Sequence, residues 1–265
     1  MRGVDRPWPE AALALAAVAA GLAIAGLRPS WDGWKPATCV ASGCFCESPR
    51  ARGVRQPADA WSNLAFLAVG LWISLRAGAE GSALTAAQTR ALGFMTVFIG
   101  AGSLLFHASL TLAGEFLDVM GMYALPAYVI LLDAGSVYPG VRRRFGALFG
   151  GALGALAALL YFCPQIRREV FAALLAAVLG TEAWLGVRLP SERDVRRLGL
   201  AAATALIGFV VWVLDERRIV CAPESLFQGH ALWHCLMAAA AWQLYAYLSV
   251  SIRPAGAGSR RPSGA

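Results

Sequence analysis

The sequence is poor in charged side chains and has only three histidines among its 265 residues. Asp, Glu, Lys and Arg account for 15% of the chain, whereas an ordinary soluble domain carries about 25%. Hydrophobic residues account for 58%, and the mean hydropathy is +0.58. This composition excludes an ordinary soluble globular domain and indicates a protein that lies mostly in lipid.

No stretch shows the alternation of polar and apolar residues that is typical of a transmembrane β-strand. The apolar runs instead approach the roughly 20 residues that a helix needs to cross a hydrocarbon layer of about 30 Å. Most are rich in Ala, Leu and Gly, as closely packed membrane helices often are. The predicted fold is therefore an all-α, polytopic membrane helical bundle. The eight predicted spans are 10–27, 59–75, 91–112, 116–132, 145–162, 170–187, 198–214 and 230–250.

The sequence also lacks a segment that could fold as a separate soluble domain. The longest loop, residues 28–58, is too short to bury a core of its own, so we interpret residues 1–265 as one membrane domain. Residues 28–58 then form an outer loop that contains cysteines. The basic tail 251–265 is rich in Gly, Ser and Pro and is predicted to be disordered.

The first apolar segment, 10–27, has two interpretations. Arg2 and Arg6 precede an Ala-rich core, as in a cleavable signal peptide. The core is long for that purpose, and residues 27–29 (LRP) lack the small side chains of a cleavage site. We therefore expect residues 10–27 to be retained as a transmembrane helix.

Arginine is distributed unevenly between the two sides of the predicted bundle. More basic residues fall on the side of the N-terminus than on the opposite side, and positive loops are retained in the cytoplasm. We therefore expect both termini to be cytoplasmic. The Ala- and Arg-rich composition suggests a bacterium of high GC content, so the opposite face would be periplasmic. The same distribution accounts for the net charge of +7 without a nucleic-acid partner.

The three histidines are predicted to lie at one depth, near the outer face. His107 lies near the outer end of the third predicted helix, and His230 and His234 lie in the first turns of the last one. Residues four apart share a helical face, so His230 and His234 could bind one ion together. With His107 as third ligand, a fourth zinc position would stay open, as in catalytic sites. A single histidine in a membrane helix is more often a hydrogen-bonded packing or interfacial residue than a metal ligand.

Two further polar residues fall near the same place. Ser103 lies one helical turn before His107, and Asp118 follows a tight connection predicted at residues 112–115. An acidic residue in an apolar helix is costly unless it faces a polar cavity or a partner, so we expect Asp118 to face the histidines. Alternatively, Asp118 is a helix N-terminal charge, and Ser103 bonds back to its own helix.

Four of the six cysteines fall in predicted outer loops: Cys39, Cys44, Cys46 and Cys221. An oxidising compartment would favour at least one disulfide there. The preferred pair is Cys46 with Cys221, because it would tie the first loop to the loop that leads into His230. The alternative is a zinc site at the cluster of Cys39, Cys44 and Cys46, although its spacing is not that of a familiar zinc knuckle.

Together these residues resemble the alkaline ceramidase family. The runs that carry the resemblance are 102–107 (GSLLFH), 117–118 (LD) and 230–234 (HALWH), with 46–47 (CE), 61–64 (WSNL), Trp212, Asp215 and Cys221. That family belongs to a superfamily of seven-helix membrane hydrolases that includes adiponectin-receptor-like and Per1-like proteins. The resemblance covers roughly residues 44–247, so it implies a seven-helix catalytic core at 59–250 with residues 10–27 as an added helix.

The resemblance implies a zinc-dependent amidase that acts within the membrane. His107, His230 and His234 would hold zinc, Asp118 would be the general base, and Ser103 would orient the attacking water or stabilise the oxyanion. The residues between the paired histidines, 231–233, cannot transfer a proton, so the base must lie elsewhere. The substrate would be a membrane lipid, ceramide or another N-acyl lipid. The products would be a fatty acid and a long-chain amine, and no obligate protein partner is implied.

The chain departs from the family at its calcium-binding stretch. Eukaryotic members with calcium use an acidic segment there and a later glutamate, whereas this sequence keeps Glu47 alone and has Gln56 at the later position. Calcium prefers six to eight oxygen ligands with several carboxylates, so we predict no tight calcium site. The departure also weakens the inference of ceramide as substrate, and an O-acyl lipid is an alternative.

Two other classes of function fit part of the pattern. A lipid-sensing protein of the adiponectin-receptor-like kind would use the same zinc ligands with little turnover. A transporter could use the histidines and Asp118 to relay protons. The sequence shows no internal repeat and no interrupted pair of helices, which disfavours the transporter.

Overall fold

The computed structural model describes residues 7–188 and 194–251, so the tail predicted to be disordered lies almost wholly outside the described residues. The described chain is helical, with one isolated β-bridge between Pro36 and Thr111. The prediction of an all-α membrane bundle is confirmed. The helices are α1 (Trp8–Leu27), α2 (Pro57–Ser62), α3 (Leu64–Leu75), α4 (Ala86–Ser109), α5 (Leu112–Val137), α6 (Pro139–Arg143), α7 (Phe145–Phe162), α8 (Arg167–Arg188), α9 (Val195–Glu216) and α10 (Gly229–Ser251).

Seven segments of the described chain are long and apolar enough to cross a membrane, so the protein is a multi-pass membrane protein. They are α1, α2 with α3, α4, α5, α7, α8 with the 3₁₀ turn before it, and α9. The eighth predicted span also forms a helix, α10, but its composition does not place it among these seven. Its histidines and other polar side chains lower its hydropathy. Helix α10 packs against α9, α3 and α2.

The turn between α4 and α5 lies earlier in the chain than residues 112–115, where the sequence predicted it. Leu110 takes a left-handed conformation with a φ of 52°, and the side chain of Thr111 accepts a hydrogen bond from the Gly114 N–H. Helix α5 therefore begins at Leu112, and Glu115 belongs to its first turn. The prediction was wrong here because capping contacts, which hydropathy does not report, set the helix ends.

Glycines allow α4 and α5 to cross at close range. A Cβ atom at Gly102 would lie 2.9 Å from the backbone carbonyl carbon of Leu117, and one at Gly121 would lie 3.0 Å from the Cα of Ile99. Real Cβ contacts are longer than this, so a larger residue at either position would push the helices apart. The close crossing at Gly102 places Asp118 beside Ser103.

Two disulfides fold the outer loop over the end of the bundle. Cys46 is bonded to Cys221, as the preferred pairing proposed, and Cys39 is bonded to Cys44, a pair that the sequence did not single out. The four cysteines therefore supply no thiolates for the alternative zinc site. The disulfide between Cys46 and Cys221 joins the outer loop to the loop that precedes α10.

Candidate metal centre

Helices α4 and α10 bring the three histidines together. His107 lies in the last turn of α4, and His230 and His234 lie in the first two turns of α10. Their side chains are buried, and each offers a ring nitrogen such that these atoms lie within 4.8 Å of one another. The ring centroids of the three pairs are 4.5 to 5.1 Å apart.

Hydrogen bonds behind the rings orient two of the three imidazoles. Nδ1 of His107 lies 3.0 Å from Oε1 of Gln56, and Nδ1 of His234 lies 2.8 Å from Oγ of Ser62. The Ser62 hydroxyl donates its own proton to the carbonyl of Asp59, so its oxygen accepts from His234. In both rings the second nitrogen, Nε2, is then unprotonated and free to bind a metal.

The third imidazole is held mainly by stacking. The ring of Phe45 lies over His230 with centroids 3.7 Å apart and an interplanar angle of 22°. Phe45 adopts a positive φ of 50°, an uncommon conformation for a bulky residue, which places its ring over the site. The backbone N–H of His230 donates to Oδ2 of Asp215 at 3.0 Å, which fixes the start of α10.

The donor set fits a zinc ion. Nε2 of His107 and Nδ1 of His230 are buried and have no hydrogen-bond partner among the described residues, as expected for nitrogens that bind a metal. Three neutral imidazoles are a usual ligand set for catalytic zinc, with Zn–N distances near 2.0–2.1 Å. The 4.8 Å spread is wider than one ion requires, so small rotations of the rings would accompany binding.

Ser103 contacts one of the histidines, and Asp118 lines the same cavity as Ser103. Oγ of Ser103 is 3.3 Å from Nε2 of His234, and its hydroxyl also lies within hydrogen-bonding reach of the Asp118 carboxylate. A carboxylate and an unprotonated Nε2 both only accept, so the single proton of the Ser103 hydroxyl serves either Asp118 or His234. Both side chains line the same cavity as His230 and His234, which explains why Asp118 is partly accessible although it lies inside the bundle.

This cavity has a volume of about 730 Å³ and a mostly apolar wall. It extends from the imidazoles between α5, α8, α9 and α10 to Leu198 and Leu244, near the opposite end of the bundle. Helices α8 and α9 face each other across it and hardly approach one another. At the imidazole end the wall becomes polar, with Glu115 and Arg167 paired at 3.3 Å. The space suits a long apolar molecule with a polar group at one end.

Two carboxylates tie the outer loop to the site. Asp215 accepts from the backbone N–H of Cys46 at 2.9 Å and from that of His230. Glu47 accepts from the N–H groups of Ala58 and Asp59, both at 2.9 Å, and so caps the start of α2. Burial raises the pKa of Glu47 above its usual range, although these two backbone donors offset part of the effect. Both Glu47 oxygens are thus engaged by the chain itself.

Sequence reasoning missed the structural roles of Gln56, Ser62 and Asp215. Ser62 and Asp215 fall in runs that resemble the ceramidases, but no pattern indicated what they contact. Gln56 was noted only as a departure from the calcium-binding stretch. The contacts of all three join segments that are distant in the sequence, and hydropathy and spacing do not report such contacts.

Comparison with known families agrees with the geometry of this centre. The Ceramidase family model matches residues 56–255, which include all three histidines, Ser103 and Asp118. No curated protein matches the chain. Membership of the family implies a hydrolase that acts on lipids. Because the match covers most of the sequence and confirms the resemblance, the chain belongs to the Ceramidase family.

Proposed function

We propose that the protein is a zinc-dependent intramembrane hydrolase that cleaves the amide bond of ceramide or a related N-acyl lipid. The observation that carries the proposal is the meeting of three buried imidazoles with an apolar cavity that Ser103 and Asp118 also line. Family membership supports the amide bond as the target. The products would be a fatty acid and a long-chain amine.

In this proposal His107, His230 and His234 hold the ion. The chemistry that bound zinc supplies is Lewis acidity, which polarises a carbonyl and makes water more acidic. Asp118 accepts a proton from the attacking water and returns it to the amine nitrogen as the C–N bond breaks. Ser103 orients the Asp118 carboxylate and can turn its hydroxyl toward the carbonyl oxygen as negative charge develops there.

The cavity supports a lipid as the substrate. Its volume lies within the range of about 300–1,000 Å³ that is usual for small-molecule sites, and its depth suits an acyl chain. The amide would lie at the imidazole end, where Glu115 and Arg167 provide polar neighbours for a head group. An apolar wall excludes water from the rest of the substrate.

We further propose that the metal centre lies on the periplasmic side of a bacterial inner membrane, with both termini in the cytoplasm. The two disulfides lie at the same end as the histidines and fit an oxidising compartment. The arginine bias of the sequence supports the same orientation. Glu47 is the one carboxylate retained from the calcium-binding stretch, so we propose no calcium requirement.

Hydrolysis of matched lipids tests the proposal. Protein purified in detergent is assayed for zinc and for release of a fluorescent acyl chain from an amide lipid and its ester analogue, with and without a chelator. Asp118→Asn should retain zinc and lower turnover by about 10²–10⁴-fold, because it removes the proton acceptor. Asp32→Asn, in the exposed outer loop, is the control and should keep full activity. Equal turnover in Asp118→Asn, or no amide cleavage by zinc-loaded wild type, would overturn the assignment.

A further inference from the structure

Gln56 is a fully buried glutamine at the end of the outer loop, immediately before α2. Its Nε2 group donates to the carbonyl of Cys44 at 3.1 Å and to that of Glu47 at 2.9 Å. Its Oε1 faces Nδ1 of His107 at 3.0 Å. A primary amide has two N–H donors, so both donors are used and only the oxygen faces the histidine.

This arrangement has only one favourable orientation of the amide. Turning it over would direct Oε1 at two carbonyl oxygens and leave both of them without a donor, which is costly in a buried site. Oε1 accepts only, so Nδ1 of His107 must carry the proton. The lone pair is then on Nε2, the His107 nitrogen that lacks a hydrogen-bond partner among the described residues.

The backbone keeps Gln56 in register with its histidine. The N–H of Gln56 donates to the carbonyl of His107 at 2.9 Å, and the N–H of Arg55 donates to that of Ala108 at 3.0 Å. The carboxylate of Asp59 lies 3.9 Å from Nδ1 of His107, too far for a hydrogen bond. Gln56 is therefore the side chain that sets the protonation of this ring.

We propose that Gln56 is a positioning residue that selects the Nδ1–H tautomer of His107 at the metal centre. The proposal rests on the proposed zinc site, because it assigns Gln56 a role toward a ligand of that ion. Outer hydrogen-bond partners of metal-binding histidines typically change metal affinity by 10–100-fold.

The tautomer can be read in the metal-free protein. The chain has three histidines, so protein labelled with ¹⁵N-histidine gives three sets of ring signals by NMR, and His107→Asn assigns one of them. Wild-type His107 should be the Nδ1–H tautomer. Gln56→Leu, which removes the acceptor, should convert it to a mixture. A wild-type Nε2–H ring, or no change in Gln56→Leu, would refute the proposal whether or not the protein hydrolyses lipids.

Gln228 provides a matched control. It is also buried, precedes α10 as Gln56 precedes α2, and donates to the carbonyls of Ala222 and Ser225, yet within the described chain no hydrogen bond joins its amide to an imidazole. Gln228→Leu should therefore leave the His107 tautomer unchanged although it removes similar loop contacts. A change as large as that in Gln56→Leu would mean that loosening of the loops, and not the acceptor, controls the ring.

The zinc affinities of two variants distinguish the role of the Gln56 acceptor oxygen from that of its two N–H donors. Gln56→Glu keeps an oxygen that can accept from Nδ1 but loses the donors to Cys44 and Glu47. It should retain zinc affinity within about threefold, whereas Gln56→Leu should lose about 10–100-fold. Equal losses in the two variants would show that the loop contacts matter and would contradict the positioning role. If Gln56→Leu fails to fold, the wild-type ring signals still test the proposal, because an Nε2–H tautomer of His107 refutes it without any variant.

Discussion

The bundle has a densely packed half and a sparsely packed half. Helix α4, which carries His107 and Ser103, buries 72% of its most apolar stretch inside the protein, whereas α7 buries 6% and α8 and α9 bury 22% each. The polar residues of the candidate site therefore lie mainly on helices fixed by close neighbours. Helices α8 and α9, which form one side of the cavity, bury little of their surface inside the protein. This division suits a site that needs rigid ligands and a substrate space that adapts to a chain.

The largest expected effect is loss of one of the three imidazoles. His234→Ala removes a ligand on α10, so zinc should fall to background and amide hydrolysis should drop by more than about 100-fold, since loss of an outer partner alone costs up to that much. Metal analysis and turnover measure both. Gln243→Ala, on the same helix but away from the centre, should keep zinc. Full zinc occupancy in His234→Ala would contradict the ligand set.

Two glycines test the packing difference with one substitution. Gly102→Ala would place a Cβ 2.9 Å from the backbone of Leu117, so we expect a loss of about 1–3 kcal/mol in unfolding free energy and a lower activity as Asp118 shifts. Gly154→Ala, on α7, meets no atom within 4 Å and should gain up to about 1 kcal/mol from helix propensity. Thermal unfolding in detergent measures both. Changes of the same sign in the stability of the two variants would argue against a difference in packing between the two halves.

The smallest effect is expected in the cavity wall. Ala205 lines the cavity on α9, and Ala205→Phe should shorten the space and favour short acyl chains over long ones by roughly 10-fold in kcat/KM. Ala203, also on α9, is exposed and does not line the cavity, so Ala203→Phe should leave the preference unchanged. A series of amide lipids with different chain lengths measures the ratio. An equal change of the chain-length preference in both variants would mean that the acyl chain binds outside this cavity.

Hydropathy and spacing predicted the helices and the grouping of the main site residues. The long apolar runs identified the spans, and the four-residue spacing of His230 and His234 predicted their shared face. The depth of His107 and Asp118 followed from their positions near span ends. These features follow from local sequence or from the position of a residue near the end of a span, so they can be predicted without knowledge of tertiary contacts.

Contacts between segments that are distant in the chain could not be predicted from the sequence. The bond from Gln56 to His107, the stacking of Phe45 on His230 and the pairing of Cys39 with Cys44 all arise in an irregular loop. Such a loop has no periodicity that would indicate which side chain faces inward. The start of α5 was misplaced for a related reason, since Thr111 acts through a cap that hydropathy does not detect.

The central claim is that one imidazole from α4 and two from α10 share a divalent cation. X-ray absorption at the zinc edge of the purified protein tests it most directly. The account predicts about one zinc per chain, bound by three imidazoles and by no sulfur. A sulfur ligand, or a zinc shell unchanged when His107 is replaced by alanine, would contradict it.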